Sequence, residues 1–259
     1  MEKNKTYVLK IYRGTPGHQY WEEFELPRRA GENVISGLME IQKNPINRKG
    51  KKVEPVVWEQ GCLEEVCGSC SMLINGFPRQ ACTALIENYI RNSGKKTIKL
   101  APFTKFPLVR DLIVDRSQMF ENLKQVHGWI ATEGSRESGF GPLISQGKQE
   151  VMYSLATCMT CGCCLEACPQ INKRSKFIGP AAISQVRLFN AHPTGKMQRR
   201  SRLRPLMEKG GISDCGNAQN CVEVCPKNIP LTDSIAVLGR DVTLQALRDL
   251  FSFQDREDI

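Results

Sequence analysis

Cysteines are the side chains of this sequence best suited to chemistry, because twelve of them occur among only 259 residues. They form three groups, at positions 62–82, 158–168 and 215–225. The first residues lack the apolar core of a signal peptide, so we expect a reducing compartment in which disulfides are rare. Thiolates in such a setting bind zinc or iron–sulfur clusters. Metal binding is therefore the expected role of the cysteines.

The first cysteine group has the spacing of a plant-type [2Fe–2S] site, C-x4-C-x2-C followed by a distant fourth cysteine. Its members are Cys62, Cys67, Cys70 and Cys82. The first three must lie on a tight loop, where Gly68 lets the backbone approach the bridging sulfides closely. A four-cysteine zinc site is the alternative. Zinc sites usually pair two C-x2-4-C motifs, and this spacing fits that pattern poorly.

The second and third groups follow the spacing of a bacterial ferredoxin, in which the fourth cysteine of each run binds the other cluster. The second run is C-x2-C-x2-C-x3-C-P and ends at Cys168-Pro169. The third run starts at Cys215 and has Ala218 where the second ligand would stand. The exchange rule predicts a [4Fe–4S] cluster with the ligands Cys158, Cys161, Cys164 and Cys225.

Three cysteines of these runs then remain for the second cluster, namely Cys168, Cys215 and Cys221. Alanine cannot bind iron, so we expect a [3Fe–4S] cluster there, unless water or another ligand holds a fourth iron. A zinc site or a disulfide framework fits the double run poorly. Cys163 is left over and is expected to be a small buried residue beside the four-iron cluster.

The net charge of the chain is large, but it indicates the type of binding partner only weakly. A net charge of +9 favours nucleic acid or anionic lipid, but iron-bound thiolates offset most of it. The densest basic segment spans residues 196–204. The favoured interpretation of this segment is a solvated face. The second is a contact for lipid head groups or an acidic partner, and the least favoured is a nucleic-acid site.

Several function classes are excluded by what the sequence lacks. No apolar run approaches the roughly 18 residues that span a bilayer. Neither a dinucleotide-binding GxGxxG nor a phosphate-binding GxxxxGK[ST] motif occurs. No arrangement of residues resembles a catalytic triad. We therefore expect a chain that carries electrons and has no substrate site of its own.

The N-terminal hundred residues must supply the elements that position the first group. Alternating patterns predict strands at 7–12 and 23–26, and helical spacing predicts a helix over 34–41. The dipeptide Asn75-Gly76 between two apolar runs predicts a hairpin, since both residues tolerate positive φ. A last strand is predicted at 98–100. The simplest fit is a small sheet with one packed helix.

The rest of the chain has mainly helical patterns. Apolar spacing predicts helix from about 108 to 126, a short helix that begins near Pro180, and two further helices after Leu231. Residues 131–149 are glycine-rich and aperiodic, which predicts an exposed loop.

A domain boundary is predicted in the segment APFTKFP at 101–107, where two prolines bracket a turn. This segment lies within the stretch 83–157, which contains no cysteine and separates the first cysteine group from the other two. The predicted domains are 1–105, with the two-iron cluster, and 106–259, with the other two clusters.

The cysteine motifs together resemble one family over nearly the whole chain, the iron–sulfur subunits of succinate dehydrogenase and fumarate reductase. They are similar above all to the bacterial form that works with a single diheme cytochrome b anchor. The motifs that carry this resemblance are CLEEVCGSCS at 62–71, NGFPRQAC at 75–82, CMTCGCCLEACP at 158–169, RLFNAHPTG at 187–195 and NCVEVCP at 220–226.

The resemblance implies an α+β fold, with a β-grasp plant-type [2Fe–2S] ferredoxin domain followed by an all-helical dicluster domain similar to bacterial ferredoxins. It implies that a flavoprotein subunit with FAD oxidises succinate. Electrons then pass through the [2Fe–2S], [4Fe–4S] and [3Fe–4S] clusters to a quinone at a membrane anchor with heme b. The implied location is peripheral, on the cytoplasmic face of the bacterial membrane, and no nucleic acid is involved. The alternatives are fumarate reduction, which is the reverse reaction, or electron transfer for another dehydrogenase.

The sequence departs from ubiquinone-linked members of this family at two places near the quinone. Those members have a tryptophan shortly after the first Cys-Pro and a histidine after the first cysteine of the third group. This chain has Lys173 and Gly216 there. The resemblance therefore implies menaquinone, bound mainly within the anchor, with Pro169 as the one matching residue on the quinone side.

Overall fold

The computed structural model describes residues 6–131 and 143–251. These residues fall into two compact units, one within Met1–Arg116 and Met159–Ala167, the other within Ser117–Cys158 and Cys168–Ile259. The predicted domain division at 105/106 stays a prediction.

The first unit contains the following elements: β1 (Thr6–Thr15), β2 (His18–Pro27), α1 (Val34–Lys43), β3 (Ser71–Ile74), β4 (Phe77–Gln80), α2 (Ile86–Ser93), β5 (Thr97–Ala101), β6 (Leu108–Arg110), β7 (Ile113–Val114) and α5 (Cys163–Ala167). The second unit contains α3 (Ser117–Gln125), α4 (Gln146–Ala156), α6 (Pro180–Ala191), α7 (Arg199–Met207), α8 (Asn220–Glu223), α9 (Leu231–Phe251) and two 3₁₀ turns, Gly195–Gln198 and Ile212–Asp214.

Five strands of the first unit form one sheet in the order β2-β1-β5-β3-β4. β1 pairs antiparallel with β2 and parallel with β5, while β3 pairs antiparallel with both β4 and β5. A parallel pair needs a long crossover connection, which the chain between β1 and β5 supplies. The predicted strands and hairpin are confirmed, and Asn75 and Gly76 both have positive φ.

One face of this sheet is covered by α1, as the spacing of its apolar residues predicts. Val34, Ile35, Leu38 and Ile41 are buried in one cluster with Leu9 and Ile11 of β1. The helix begins after Asn33, whose Oδ1 accepts the N–H of Ser36 at 2.9 Å and so satisfies a free helix donor. It ends before Pro45. The unit also contains α2, which the sequence analysis did not predict.

The prediction of a helix from residue 108 is wrong over 108–114. This segment forms β6 and β7, an antiparallel pair with Asp111 at φ 47° between them. The Asp111 carboxylate accepts the N–H of Gly14 at 2.7 Å and of Val57 at 2.9 Å. These long-range bonds satisfy two backbone donors of the first unit and favour a turn over a helix. The predicted helix is confirmed only in α3.

Asp111 also takes part in a buried charge network around Arg13. The Arg13 guanidinium is 3% exposed and donates to Glu22 Oε2 and the Glu54 carbonyl, both at 2.9 Å. It also donates to the Pro55 carbonyl at 3.2 Å and to Asp111 Oδ2 at 3.5 Å. Buried charges persist only when they are paired and hydrogen-bonded. The network thus ties residues 54–57 and 111 to the end of β1.

The predicted boundary segment packs into the first unit through Glu166 of α5. Phe103 and Phe106 are buried, with ring centroids 5.7 Å apart. The Glu166 carboxylate accepts the Thr104 N–H and hydroxyl at 3.0 and 2.7 Å and the Lys105 N–H at 3.0 Å. This carboxylate therefore attaches the second cysteine run to the loop between β5 and β6.

α6 lies at the centre of the second unit and packs against α3, α4, α7 and α9. It begins at Pro180, as predicted, since proline is favoured in the first turn. The two helices predicted after Leu231 are one, α9. Gly239 lies in its interior without ending it, because an isolated glycine costs only about 1 kcal/mol relative to alanine.

The predicted loop at 131–149 is wrong at its end, where α4 begins at Gln146. Met152 and Leu155 provide the buried face of α4, and they lie beyond the aperiodic stretch, so that stretch carried little helical signal. Residues 132–142 of the predicted loop lie outside the described residues. Across 6–131 and 143–251, the helices are all too short or too polar to cross a membrane.

The interpretation of 196–204 as a solvated face is wrong for Arg202, whereas Lys196 and Arg204 are exposed as it predicts. Arg202 is fully buried and donates to three backbone carbonyls, those of His127, Trp129 and Gly195, at 2.7–3.1 Å. Two further arginines are paired with carboxylates of α9, Arg199 with Asp241 at 2.7 Å and Arg200 with Asp249 at 3.0 Å. Arg202 therefore stabilises the unit internally, whereas the ion pairs of Arg199 and Arg200 are partly exposed.

We predict that Asp111→Asn destabilises the first unit, because it breaks a buried ion pair and places an amide NH2 donor where a carboxylate oxygen accepts a backbone N–H. The expected loss of unfolding free energy is about 3 kcal/mol, measured by urea unfolding of the purified chain. Glu121→Gln removes an exposed carboxylate that pairs with Lys124 and serves as control, with an expected change below about 0.5 kcal/mol. Equal effects of the two variants would contradict the buried network.

Candidate metal centres

Three cysteines of the first group, Cys62, Cys67 and Cys70, lie on an irregular loop between α1 and β3. Three residues of this loop have positive φ, Leu63 at 61°, Glu65 at 57° and Gly68 at 72°. Repeated left-handed turns keep the loop out of helix and strand geometry. Its backbone N–H groups are therefore free to point inward, toward the sulfur atoms of the first group.

Four of these N–H groups donate to the sulfurs of Cys62 and Cys67. Glu64 and Val66 donate to Cys62 Sγ at 3.3 Å each, and Cys62 and Ser69 donate to Cys67 Sγ at 3.4 and 3.5 Å. The N–H of Cys62, together with Ser69, lowers the pKa of the Cys67 thiol to about 6. The loop thus favours thiolate at this position before any metal binds.

Cys70 and Cys82 form a second, buried pair. Cys70 lies at the start of the β3–β4 hairpin and Cys82 just beyond its end, so the hairpin brings them together. Burial raises the pKa of the Cys70 thiol to about 12, and hydrogen bonding within the pair links it to Cys82. Burial thus favours the neutral thiol at Cys70.

The two pairs fit the expected two-iron cluster. One pair lies on the loop before β3 and the other at the two ends of the β3–β4 hairpin, and each iron of such a cluster takes two thiolates.

Gly68 also allows the second cysteine run to approach the loop. A Cβ at this position would lie 2.6 Å from the Met159 carbonyl oxygen and 2.9 Å from Cys161 Cα. Arg116 also contacts the backbone at Gly68. Its guanidinium donates to the Gly68 carbonyl at 2.7 Å and to Glu59 Oε2 at 2.6 Å. Arg116 was not predictable from the sequence, because a single arginine carries no local signal.

The second run contributes residues to both units. Cys161, Cys163 and Cys164 belong to the first, and Cys163 is fully buried, which confirms the expectation of a small buried residue. Its thiol donates to Cys161 and so lowers the pKa of Cys161 to about 7. Cys158 and Cys225 belong to the second unit. The four-iron ligand set stays a prediction.

The third predicted site is a cavity in the second unit that is partly open to solvent. Cys168, Cys215 and Cys221 line it together with Ala218. Burial, with the charges of Cys168 and Cys215, raises the pKa of the Cys221 thiol to about 11. Three thiols thus share one cavity with the Ala218 methyl group.

The quinone-side positions of the sequence analysis lie near this cavity. Pro169 and Gly216 line it, whereas Lys173 is exposed. A Cβ on Gly216 would lie 2.5 Å from Gln170 Nε2, so the Gln170 amide fills the space beside this glycine. The sequence analysis missed Gln170, although its place directly after Pro169 was a usable signal.

Comparison with known domain families assigns both halves of the chain. The family of 2Fe–2S iron–sulfur cluster binding domains matches residues 8–121. The family of 4Fe–4S dicluster domains matches residues 154–229. Each match covers one of the two parts in which the cysteine spacing predicts clusters.

The chain is 58% identical to the succinate dehydrogenase iron–sulfur subunit of Bacillus subtilis, over 97% of this chain and 98% of the relative. It belongs to the succinate dehydrogenase iron–sulfur subunits. The fumarate reductase iron–sulfur subunit of Escherichia coli O157:H7 is 31% identical over 80% of this chain and 79% of its own. A chain of the Mycobacterium smegmatis Sdh1 complex shares the fold, with a TM-score of 0.78, 21% identity and coverage of 95% and 98%.

Membership in the succinate dehydrogenase family confirms the predicted fold class, an N-terminal two-iron ferredoxin domain followed by a helical dicluster domain. It confirms the cofactors, one [2Fe–2S], one [4Fe–4S] and one [3Fe–4S] cluster. The chain transfers electrons through these clusters as a subunit of an oxidoreductase.

We predict that Gly68→Ala removes the two-iron signal from electron paramagnetic resonance (EPR) spectra, because the added methyl group collides with backbone atoms of residues 159–161. The expected destabilisation is at least about 3 kcal/mol. Gly76→Ala is the matched control, since Gly76 also has positive φ but has no atom within 4 Å of its Cβ position. It should cost about 1–2 kcal/mol and keep the signal. Retention of the signal in both variants would contradict the close packing at Gly68.

Proposed function

We propose that this subunit conducts electrons along its three clusters in the order two-iron, four-iron, three-iron. The proposed ligands of the [2Fe–2S] cluster are Cys62, Cys67, Cys70 and Cys82. Those of the [4Fe–4S] cluster are Cys158, Cys161, Cys164 and Cys225. Those of the [3Fe–4S] cluster are Cys168, Cys215 and Cys221. The main support is the cavity in which three of these cysteines lie beside Ala218.

The surroundings of the sulfur atoms support conduction. Amide donors to cysteine sulfur stabilise the extra negative charge of a reduced cluster and so help to set its potential. The loop at 62–69 provides four such donors, and Ile229 N–H donates to Cys225 Sγ at 3.5 Å. When bound, the clusters supply one-electron chemistry, and the chain holds them and adjusts their potentials.

The partners follow from the relatives, which are named as subunits of succinate dehydrogenase or fumarate reductase. We propose that residues 1–105 face a flavoprotein subunit with FAD, which carries the succinate site. Residues 106–259 face a membrane anchor with heme b, on the cytoplasmic side of the membrane. Succinate oxidation is favoured over fumarate reduction, because identity is 58% to the dehydrogenase subunit and 31% to the reductase subunit.

Menaquinone is the proposed electron acceptor. Gly216 offers no side chain to a quinone, and the Gln170 amide occupies the space beside it. Lys173 is exposed and stands where ubiquinone-linked members have tryptophan. Of the residues singled out for the quinone side, Pro169 remains, at the edge of the three-iron cavity.

The test is low-temperature EPR on native membranes that contain the assembled complex, before and after addition of succinate. We expect a three-iron signal that disappears with succinate while a two-iron signal appears. Iron analysis of the purified complex should give about nine irons for this subunit after heme iron is subtracted. A three-iron signal that ignores succinate would refute the partner assignment. Absence of both signals would refute the ligand assignment.

We predict that Ala218→Cys converts the three-iron cluster to a four-iron cluster, because the new thiolate completes the ligand set in the cavity. The three-iron EPR signal should disappear, the iron content should rise by about one, and the potential of the site should fall. Ala236→Cys places an added thiol on an exposed position of α9 and should leave the signal unchanged. An unchanged signal in Ala218→Cys would contradict the alignment of the third run.

A further inference from the structure

Arg116 is a mostly buried cation beside the two-iron loop, and ligand binding assigns it no role. Its side chain is 18% exposed. Nη1 donates to the Gly68 carbonyl at 2.7 Å, and Nη2 donates to the Ser69 carbonyl at 3.4 Å. In the sequence these carbonyls lie between Cys67 and Cys70, two proposed ligands of the [2Fe–2S] cluster. A charge is costly to bury unless it is paired and hydrogen-bonded, so these bonds specify where the guanidinium lies.

One peptide group connects Arg116 to a ligand sulfur. It consists of the Gly68 carbonyl, which accepts from the guanidinium, and the Ser69 N–H, which donates to Cys67 Sγ at 3.5 Å. Resonance links the oxygen and the nitrogen of a peptide group. A cation at the oxygen therefore makes the N–H a stronger donor, because hydrogen bonds in a chain polarise one another. The sulfur is the acceptor in this chain, so an iron-bound thiolate at Cys67 keeps the contact.

Ser71 is a second donor to the same carbonyl. Its hydroxyl donates to the Gly68 carbonyl at 2.7 Å. It also accepts from Gln80 Nε2 at 2.8 Å, which leaves the hydroxyl proton for the carbonyl. The Gly68 oxygen thus accepts from one charged and one neutral donor and uses both of its lone pairs. Loss of either donor should weaken the polarisation of the same peptide group, and loss of Ser71 does so without a change of charge.

Glu59 opposes the charge of Arg116 only in part. Its Oε2 accepts from Nη2 at 2.6 Å, but its side chain is 42% exposed, compared with 18% for Arg116. Water therefore screens the carboxylate more than the guanidinium. The charge that acts on the two-iron loop is positive on balance. Reduction adds one negative charge to a cluster, so nearby positive charge and stronger N–H donors to sulfur both favour the reduced state.

We propose that Arg116 is a positioning residue that raises the reduction potential of the [2Fe–2S] cluster through the peptide group between Gly68 and Ser69. The step that it favours is the gain of one electron by this cluster, which succinate supplies by way of the flavoprotein subunit. No bond forms or breaks in the chain, and no proton moves. The proposal rests on the two-iron ligand assignment given under the proposed function.

The test is an EPR-monitored redox titration of the two-iron cluster in native membranes that contain the assembled complex. Arg116→Met removes the charge and both donors, whereas Arg116→Lys keeps the charge and loses the planar fork. Arg110→Met is the matched control, because Arg110 also pairs with a glutamate, Glu54, but lies on β6 and is 44% exposed. Iron content and the fraction of assembled complex are measured in every sample, so that a loss of folding is recognised separately.

We expect Arg116→Met to make reduction of the two-iron cluster at least threefold less favourable, a fall of about 28 mV for a one-electron couple. Arg116→Lys should lower the potential by less, since the charge remains. Ser71→Ala removes the neutral donor to the Gly68 carbonyl and should also lower the potential, by less than Arg116→Met, because neutral hydrogen bonds are weaker than charged ones. The control Arg110→Met should leave the potential unchanged.

An unchanged two-iron potential in loaded Arg116→Met would overturn the proposal, and so would an equal fall in Arg110→Met. A fall in Arg116→Met beside an unchanged potential in Ser71→Ala would overturn the route through the peptide group. If Arg116→Met does not assemble, Arg116→Lys and Ser71→Ala decide, and unchanged potentials in both would overturn the proposal. Absence of the two-iron signal in the unmodified complex would refute the ligand assignment instead, which separates failure of the proposed function from failure of this proposal.

Discussion

The binding of iron by thiolates is the constraint on which this structure depends. A thiolate is stabilised by nearby N–H donors, and backbone N–H groups are free to donate only where the chain leaves helix and strand geometry. The cysteines therefore lie on irregular loops or at the ends of elements. The loop at 62–69 satisfies this constraint with three left-handed residues, and the turn at 217–219 does so with two more.

Irregular loops are held in place by polar groups that are themselves buried. In the first unit, Arg13 and Asp111 fix the chain beside β1, Arg116 holds the two-iron loop, and Glu166 attaches α5. In the second unit, Arg202 donates hydrogen bonds to backbone carbonyls of two separate segments. Each of these side chains would be costly to bury without partners, so each also specifies one arrangement of the loops it joins.

The cysteine spacing was sufficient to predict the clusters, because thiolate ligation needs few residues at short, fixed intervals. The hairpin at Asn75-Gly76 and the helix α1 were equally accessible, since turn chemistry and apolar spacing are local properties. The prediction of a helix from residue 108 was wrong because the structure of that segment depends on contacts that are distant in sequence. Its apolar spacing was compatible with helix, but Asp111 bonds to Gly14 and Val57, which are distant in sequence.

The sequence by itself determined the types of the three clusters and, in the first hundred residues, the strands, the hairpin and α1, but not α2. Only the tertiary structure decided which charges are buried and which thiols meet. Arg202 looked like one more cation of a basic surface. Its role arises from contacts across many residues, and neither composition nor periodicity encodes which distant groups a folded chain brings together.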